Sequence, residues 1–298
     1  MSGFEAAAEY AERHALQVLF ALREDRVVFE RYAPGWDAGT AHPLYSGTKS
    51  FWGVAAVAAE ADGILDIDEP VGETFASWST GERAAVTLRM LLQLTSGIGF
   101  GGLGAAVPTY DKALEVPLKS PPGARFTYGG IPLQVFGAVL EKKLGRSAHD
   151  YLRERILEPI GLRVGSWRTL HDGRSPLPTG AFVSAEQWAR FGRLVRDGGR
   201  WSGKSVVPAA AVARCFEGSA ANARYGLCWW LSPLPEHPAV VYASGAGGQA
   251  LYVVPSLAIV VVKFGNGRSY RHEAFLSRLL GARGEGSGAS QRASKSSV

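Results

Sequence analysis

Ser46-Gly47-Thr48-Lys49 stands where the chain turns into an apolar helix, and its reading decides the rest. Phe51, Trp52, Val54, Ala55, Val57, Ala58 and Ala59 keep the following segment inside until Asp62-Gly63 stops it, a start and a stop proper to a buried helix. A serine in the first helical turn lies where unpaired backbone N–H groups and the positive end of the macrodipole converge, so an oxyanion or alkoxide is stabilised there. A lysine three residues on shares the serine's face one turn later, within reach of its hydroxyl. If apolar walls keep that amine neutral, it becomes a base able to take the serine's proton.

The spacing alone proves little. Eight lysines and 24 serines in 298 residues give about 0.6 chance pairs, and one is found, so a solvated lysine beside a helix cap is the bland alternative. Context raises the functional reading. Upstream, Val18 to Leu22 and Val27 to Tyr32 read as two short strands around the polar turn Arg23-Glu24-Asp25-Arg26. Downstream come Asp62-Gly63-Ile64-Leu65-Asp66-Ile67-Asp68-Glu69-Pro70-Val71 and then Thr87-Leu88-Arg89-Met90-Leu91-Leu92-Gln93-Leu94-Thr95-Ser96-Gly97.

These three ordered blocks resemble the serine β-lactamase and penicillin-binding-protein superfamily, in particular its class C-like esterase and amide-hydrolase branch. Its members read Ser-x-x-Lys-Ser-(Phe/Ile), then Asp-Gly-x-Leu-x-Leu-Asp-x-Pro-Val, then Thr-(Leu/Ile)-Arg-x-Leu-Leu-x-(Met/Leu)-Thr-Ser-Gly. The likeness continues through Pro122 to Tyr128, Gly180 to Gly192 and Ser244 to Gln249, and covers roughly residues 16 to 280. What it implies is an acyl-enzyme hydrolase of a small ester or amide, without cofactor. Ser46 is then the nucleophile, and Lys49 and Tyr128 the general base and acid. Tyr128 stands at the family's Tyr-x-Asn motif, where a lysine ammonium nearby would draw the phenol below its ordinary value of about 10. Ala243 to Gly248 occupies the place of the family's Lys-Thr-Gly or His-x-Gly strand. Ala246 would there join Ser46 as the second oxyanion N–H, with Ser244, Gly245 and Gly247 beside the substrate. Two such donors typically contribute on the order of 10²–10³ in rate each.

Two departures from that pattern shift the expected substrate. Glycine stands at Gly130 where asparagine is usual, and Ala243 carries no lysine or histidine. Both remove a grip on β-lactams, which leaves esters or simple amides and at best weak β-lactamase activity. The alternatives are an acyltransferase or D-amino-acid peptidase of the same fold, or a ligand-binding member without catalysis.

Composition bounds the remaining classes. Hydrophobic residues at 46% and charged residues at 20% fit a globular protein. No apolar run reaches the ~18 residues of a membrane span, and the first 14 residues lack a secretion signal, so the expected location is the cytoplasm. The net charge of +5 comes from scattered arginines with no basic aromatic cluster, which argues against nucleic acid. Two cysteines and six isolated histidines suggest neither a disulfide framework nor a metal site. Oligomeric state is not readable.

Strand patterns stand at the two ends of the chain. They return at Tyr225 to Trp230, Val240 to Ala243, Ala250 to Val254 and Leu257 to Phe264. Helical patterns fill 46 to 61, 84 to 94, 131 to 144, 147 to 157, 184 to 197 and 208 to 216, with a last one near Arg271 to Leu280. The expected fold is α+β: an antiparallel sheet flanked by terminal helices, with an inserted all-helical lobe. One domain would cover 1–282, its α/β lobe about 1–45 and 218–282 and its helical lobe about 46–217. The Gly/Ser-rich end, 283–298, reads as a disordered tail. Gly198 to Ser205 matches the P-loop pattern, but a helix precedes it and Val206-Val207-Pro208 follows, so no nucleotide is expected. Gly99 to Gly104 reads as a loop bordering the cleft. His42 is a lesser rival to Lys49 as base. Tyr45, Phe100, Trp229 and Trp230 are candidates for an acyl pocket.

Overall fold

A computed structural model describes residues 2–281, so the expected tail lies outside the described residues. Six antiparallel strands make the central sheet. They are β1 (Leu16–Arg23), β2 (Arg26–Tyr32), β3 (Trp230–Leu231), β4 (Val241–Gly245), β5 (Gln249–Val254) and β6 (Ile259–Gly265), in the spatial order β2-β1-β6-β5-β4-β3. Pairing from Val18↔Phe264 to Arg23↔Ile259 joins strands more than two hundred residues apart. β1 reads as a nearly continuous apolar run because helices cover both of its faces, whereas β2 is an edge strand with Val27 and Val28 exposed.

Alternation along the strands sends Leu19, Ala21, Tyr252, Val254 and Val261 to one face. There they meet α1 (Gly3–Glu12) through Ala7, Ala8 and Ala11, and α5 (His272–Leu280) through Phe275 and Leu276. The other face presents Val18, Phe20, Leu251, Val253, Val260 and Val262 to Trp188, Phe191 and Leu194 of α4 (Ala185–Arg196). Beyond that layer lie α2 (Lys49–Ala61) and α3 (Ile131–Leu144). α2 is apolar all round and is buried from Lys49 to Ala59, as such a helix must be. Its Phe51, Trp52, Val54 and Val57 are fully buried, each worth about 1.5–3 kcal/mol of transfer free energy.

Several expected elements are shorter than their patterns. Over 84–94 the α-helix is Leu88–Leu92, started by Thr87, whose hydroxyl accepts from Met90 N. Ser184 starts α4 in the same way. The pattern over 147–157 is an α-helix, Ala148–Leu152, running into a π turn, Arg153–Leu157. Tyr225 to Trp230 is not a strand: Tyr225 bridges to Trp230, Cys228 takes a left-handed φ of 64°, and the chain folds back on itself. Its apolar character comes from filling the core with Tyr225, Leu227 and Trp229. The P-loop look-alike is a hairpin in which Arg200–Trp201 pairs with Lys204–Ser205, with no helix to cradle a phosphate. A small sheet with no clear signal in the sequence pairs Ala181–Val183 with His42–Pro43 and Ser166–Trp167. It draws the middle of the chain against the segment that leads into Ser46. Among the described residues no helix is long and apolar enough to cross a membrane.

Candidate active site

Ser46 lies in a 3-10 turn, Tyr45–Thr48, that leads directly into α2. The N–H groups opening such a turn have no intrahelical acceptor. Tyr45, just before the serine, has a left-handed φ of 47°, a conformation costing a non-glycine residue on the order of 1–3 kcal/mol. The strain is held by the frame around it. Leu44 N donates to Ala181 O at 2.9 Å and Gly47 N to Leu44 O at 2.9 Å. The Ser50 hydroxyl donates to Gly47 O at 2.8 Å.

Lys49 opens α2 with 1% of its surface exposed. Its Nζ stands 2.9 Å from Ser46 Oγ and 3.3 Å from the carbonyl oxygen of Pro178, both uncharged partners. Desolvation therefore pushes the amine down to about 7, opposed only slightly by the Cys228 thiol. The Pro178 carbonyl is itself held in place. Gln134, fully buried on α3, accepts from Leu177 N at 2.9 Å and donates to Pro108 O at 2.6 Å.

Tyr128 reaches the same point from the loop before α3. Lys49 Nζ lies 4.9 Å from its ring centroid, and the ring stacks on Trp230 of β3 at 5.7 Å. The expectation of a depressed phenol is overturned. Burial raises it to about 12, and hydrogen bonding with Ser46 only partly offsets that shift. The reason is that Lys49, itself lowered to about 7 by burial, has lost its positive charge well before the phenol titrates.

The end of β4 closes the other side. Gly245 presses on the carbonyl of Leu44, where any Cβ would collide, so this strand end abuts the nucleophile turn. Ala246 follows, opening a turn in which Gly247 has a φ of 75°. The structure thus brings Ser46, Lys49 and Tyr128 together, with Gly245 and Ala246 alongside. Ser244 is different: its hydroxyl meets His272 Nε2 at 2.8 Å.

The rivals separate cleanly. His42 is buried between Trp36 and Phe264 at ring distances of 4.4 and 4.2 Å, and burial lowers its pKa to about 4. Trp229 is wholly buried against Phe191 and Phe216, a core residue and not a pocket wall. Tyr45 and Phe100 are open to solvent at 43% and 77%. Gly99 to Gly104 does border the site: Gly130 N donates to Gly101 O at 2.9 Å.

The model of the Beta-lactamase family matches residues 7–282. The chain belongs to that family. Esterase EstB of Burkholderia gladioli is 27% identical over 144 residues, which cover 40% of this chain and 36% of the esterase, so the match spans about a third of that relative. A Bacillus anthracis protein described as a 6-aminohexanoate-dimer hydrolase superposes with a TM-score of 0.79 at 19% identity, over 92% of this chain and 80% of its own. A class C beta lactamase of Rhodobacter sphaeroides does so with a TM-score of 0.72 at 18% identity, over 94% and 98%. Set against the β-lactamase-family pattern, Gly130 has a physical cause. A side chain there would run into the carbonyl of Gly102 and crowd Pro178. The Gly101–Gly102 loop occupies the room an asparagine would need.

Proposed function

We propose that this protein is a serine hydrolase that cleaves a small ester or amide through an acyl-enzyme on Ser46. One observation carries the reading: a fully buried amine stands 2.9 Å from the Ser46 hydroxyl, with uncharged partners only. Such an amine is substantially neutral near pH 7 and has a lone pair for the serine's proton. Ser46 Oγ attacks the substrate carbonyl carbon while Lys49 takes its proton. Tyr128, a neutral phenol at working pH, gives a proton to the departing alcohol or amine, and Lys49 restores it. The N–H groups of Ser46 and Ala246 hold the oxyanion. Water then repeats the cycle on the acyl-enzyme and releases the acid.

The jammed Gly130–Gly102 contact supports esters and simple amides over β-lactams, since no side-chain amide can stand there. The likeness to an esterase and to a dimer hydrolase agrees with that class. A fluorophosphonate should label the wild type and leave Ser46→Ala unlabelled. Intact-mass spectrometry finding no adduct on the wild type would end the proposal.

A further inference from the structure

The turn that carries Ala246 is built from residues with little shape of their own. Ala246 stands between Gly245 and Gly247, and Gly247 and Gly248 both take left-handed φ values, 75° and 79°. Glycine has the widest backbone freedom of any residue, so local sterics do not fix the peptide planes around Ala246. Pairing of Gly245 with Gln249, the first residue of β5, holds the plane that precedes Ala246. The plane that follows is held by a side chain. Gln249, 4% exposed, folds back over its own turn, and its Nε2 donates to Ala246 O at 3.2 Å and to Gly265 O at 2.5 Å. Its Oε1 accepts from Gly265 N at 3.2 Å.

The orientation of that amide follows from its neighbours. Two carbonyl oxygens require donors and one N–H requires an acceptor, so a single placement of nitrogen and oxygen satisfies all three. Gly265 closes β6 opposite Leu16 of β1, so through Gln249 the turn is tied to the central sheet. Gly267 N adds a bond to Gly247 O at 3.1 Å. Both N–H groups of Gln249 are thereby used. With no donor left for a substrate, any effect of this residue on the reaction passes through the turn it holds.

We propose that Gln249 is a positioning residue that keeps the Ala246 N–H aimed at the oxyanion of the reaction. This rests on the Ser46 hydrolase reading, with Ala246 as the second oxyanion donor. A donor stabilises a transition state fully only if it is in place before charge develops, and a turn of glycines free to reorient would lose that advantage. The test compares p-nitrophenyl butyrate with its thiono analogue, in which sulfur replaces the carbonyl oxygen. Sulfur accepts hydrogen bonds weakly, so the oxo-to-thiono ratio of kcat reports how well the donors are aimed.

The wild type should turn over the oxo ester much the faster. Gln249→Met, of similar length and without the amide, should lower kcat on that ester about ten- to hundredfold with KM little changed, part of the 10²–10³ that a whole donor contributes. Its oxo-to-thiono ratio should shrink about tenfold, because the thiono ester has less to lose. Gln249→Glu keeps an acceptor for Gly265 N and offers at most one donor, so its ratio should lie between the two. It carries the test if Gln249→Met does not fold by circular dichroism. A ratio equal to the wild type's in each variant that folds, or failure of both to fold, would make Gln249 a structural residue only and overturn the proposal. Labelling of the wild type by a fluorophosphonate tells the failures apart. An unlabelled wild type removes the hydrolase reading and this one with it. A labelled wild type without oxo preference removes Ala246 as a donor, and Gln249 with it; a labelled one whose preference no variant alters removes the role of Gln249 alone.

Discussion

Two lysines of this protein are buried to the same degree and have different surroundings. Lys49 and Lys263 are both essentially without exposed surface, and burial pushes both amines down to about 7. Lys49 has the hydroxyl of Ser46 at 2.9 Å, next to a strained Tyr45 and the ring of Tyr128. Lys263 has no hydrogen-bond partner among the described residues and rests on the face of Tyr270. Desolvation supplies a neutral amine at either place. Only a reachable hydroxyl with an oxyanion site turns such an amine into a base.

That contrast can be broken experimentally. Lys49→Met should lower kcat/KM on a p-nitrophenyl ester by about 10³, the middle of the range a general base contributes, with the fold intact by circular dichroism. A loss of under tenfold would remove the amine from the mechanism. Tyr128→Phe should cost about 10², since water can replace the phenol in part, and the loss should grow for leaving groups that need a proton. Equal effects on nitrophenyl and alkyl esters would contradict its role as acid.

The pH profile sharpens the comparison further. Lys49 must be neutral to act, so kcat/KM should fall about tenfold per unit as pH drops below about 7. The basic side should stay flat, because Tyr128 keeps its proton up to about 12. An acid limb centred near 5 would point to a carboxylate or a histidine instead.

The smallest effect concerns Lys263. Its pKa is depressed on folding, so the unfolded chain binds more protons between about 7 and 10.5, and stability rises with pH across that window. Below about 7 this contribution is gone. Lys263→Met, which removes an unpaired buried amine at similar volume, should therefore raise Tm by a few degrees at pH 6–7 and flatten its increase with pH. A lower Tm at pH 6 would show that the ring contact outweighs desolvation.

The meeting of Ser46 with Lys49, the proposed nucleophile and base, was legible because three residues of helix fix their separation, whatever the rest of the chain does. Tyr128 and the β4 strand end were legible only through resemblance, since nothing local in the loop before α3 or in a glycine-rich turn reports what it faces. The pairing of β1 with β6 was open to alternation arguments, because apolar strands at both chain ends need partners. Tyr225 to Trp230 misled, because an apolar run reads alike as strand or as core-filling loop. The carbonyl of Pro178, the clamp through Gln134 and the meeting of Ser244 with His272 had no signal at all. Each depends on where two distant segments come to rest.

By itself, then, the order of residues determined periodicity, helix starts and stops, and the i, i+3 neighbourhood of Ser46 and Lys49, all set by bond geometry over a few residues. The tertiary structure alone decided which amine loses its water, whether the phenol goes up or down, and which way Ser244 points. Dielectric environment and hydrogen-bond partners are properties of a packed interior, supplied by residues tens to hundreds of positions away.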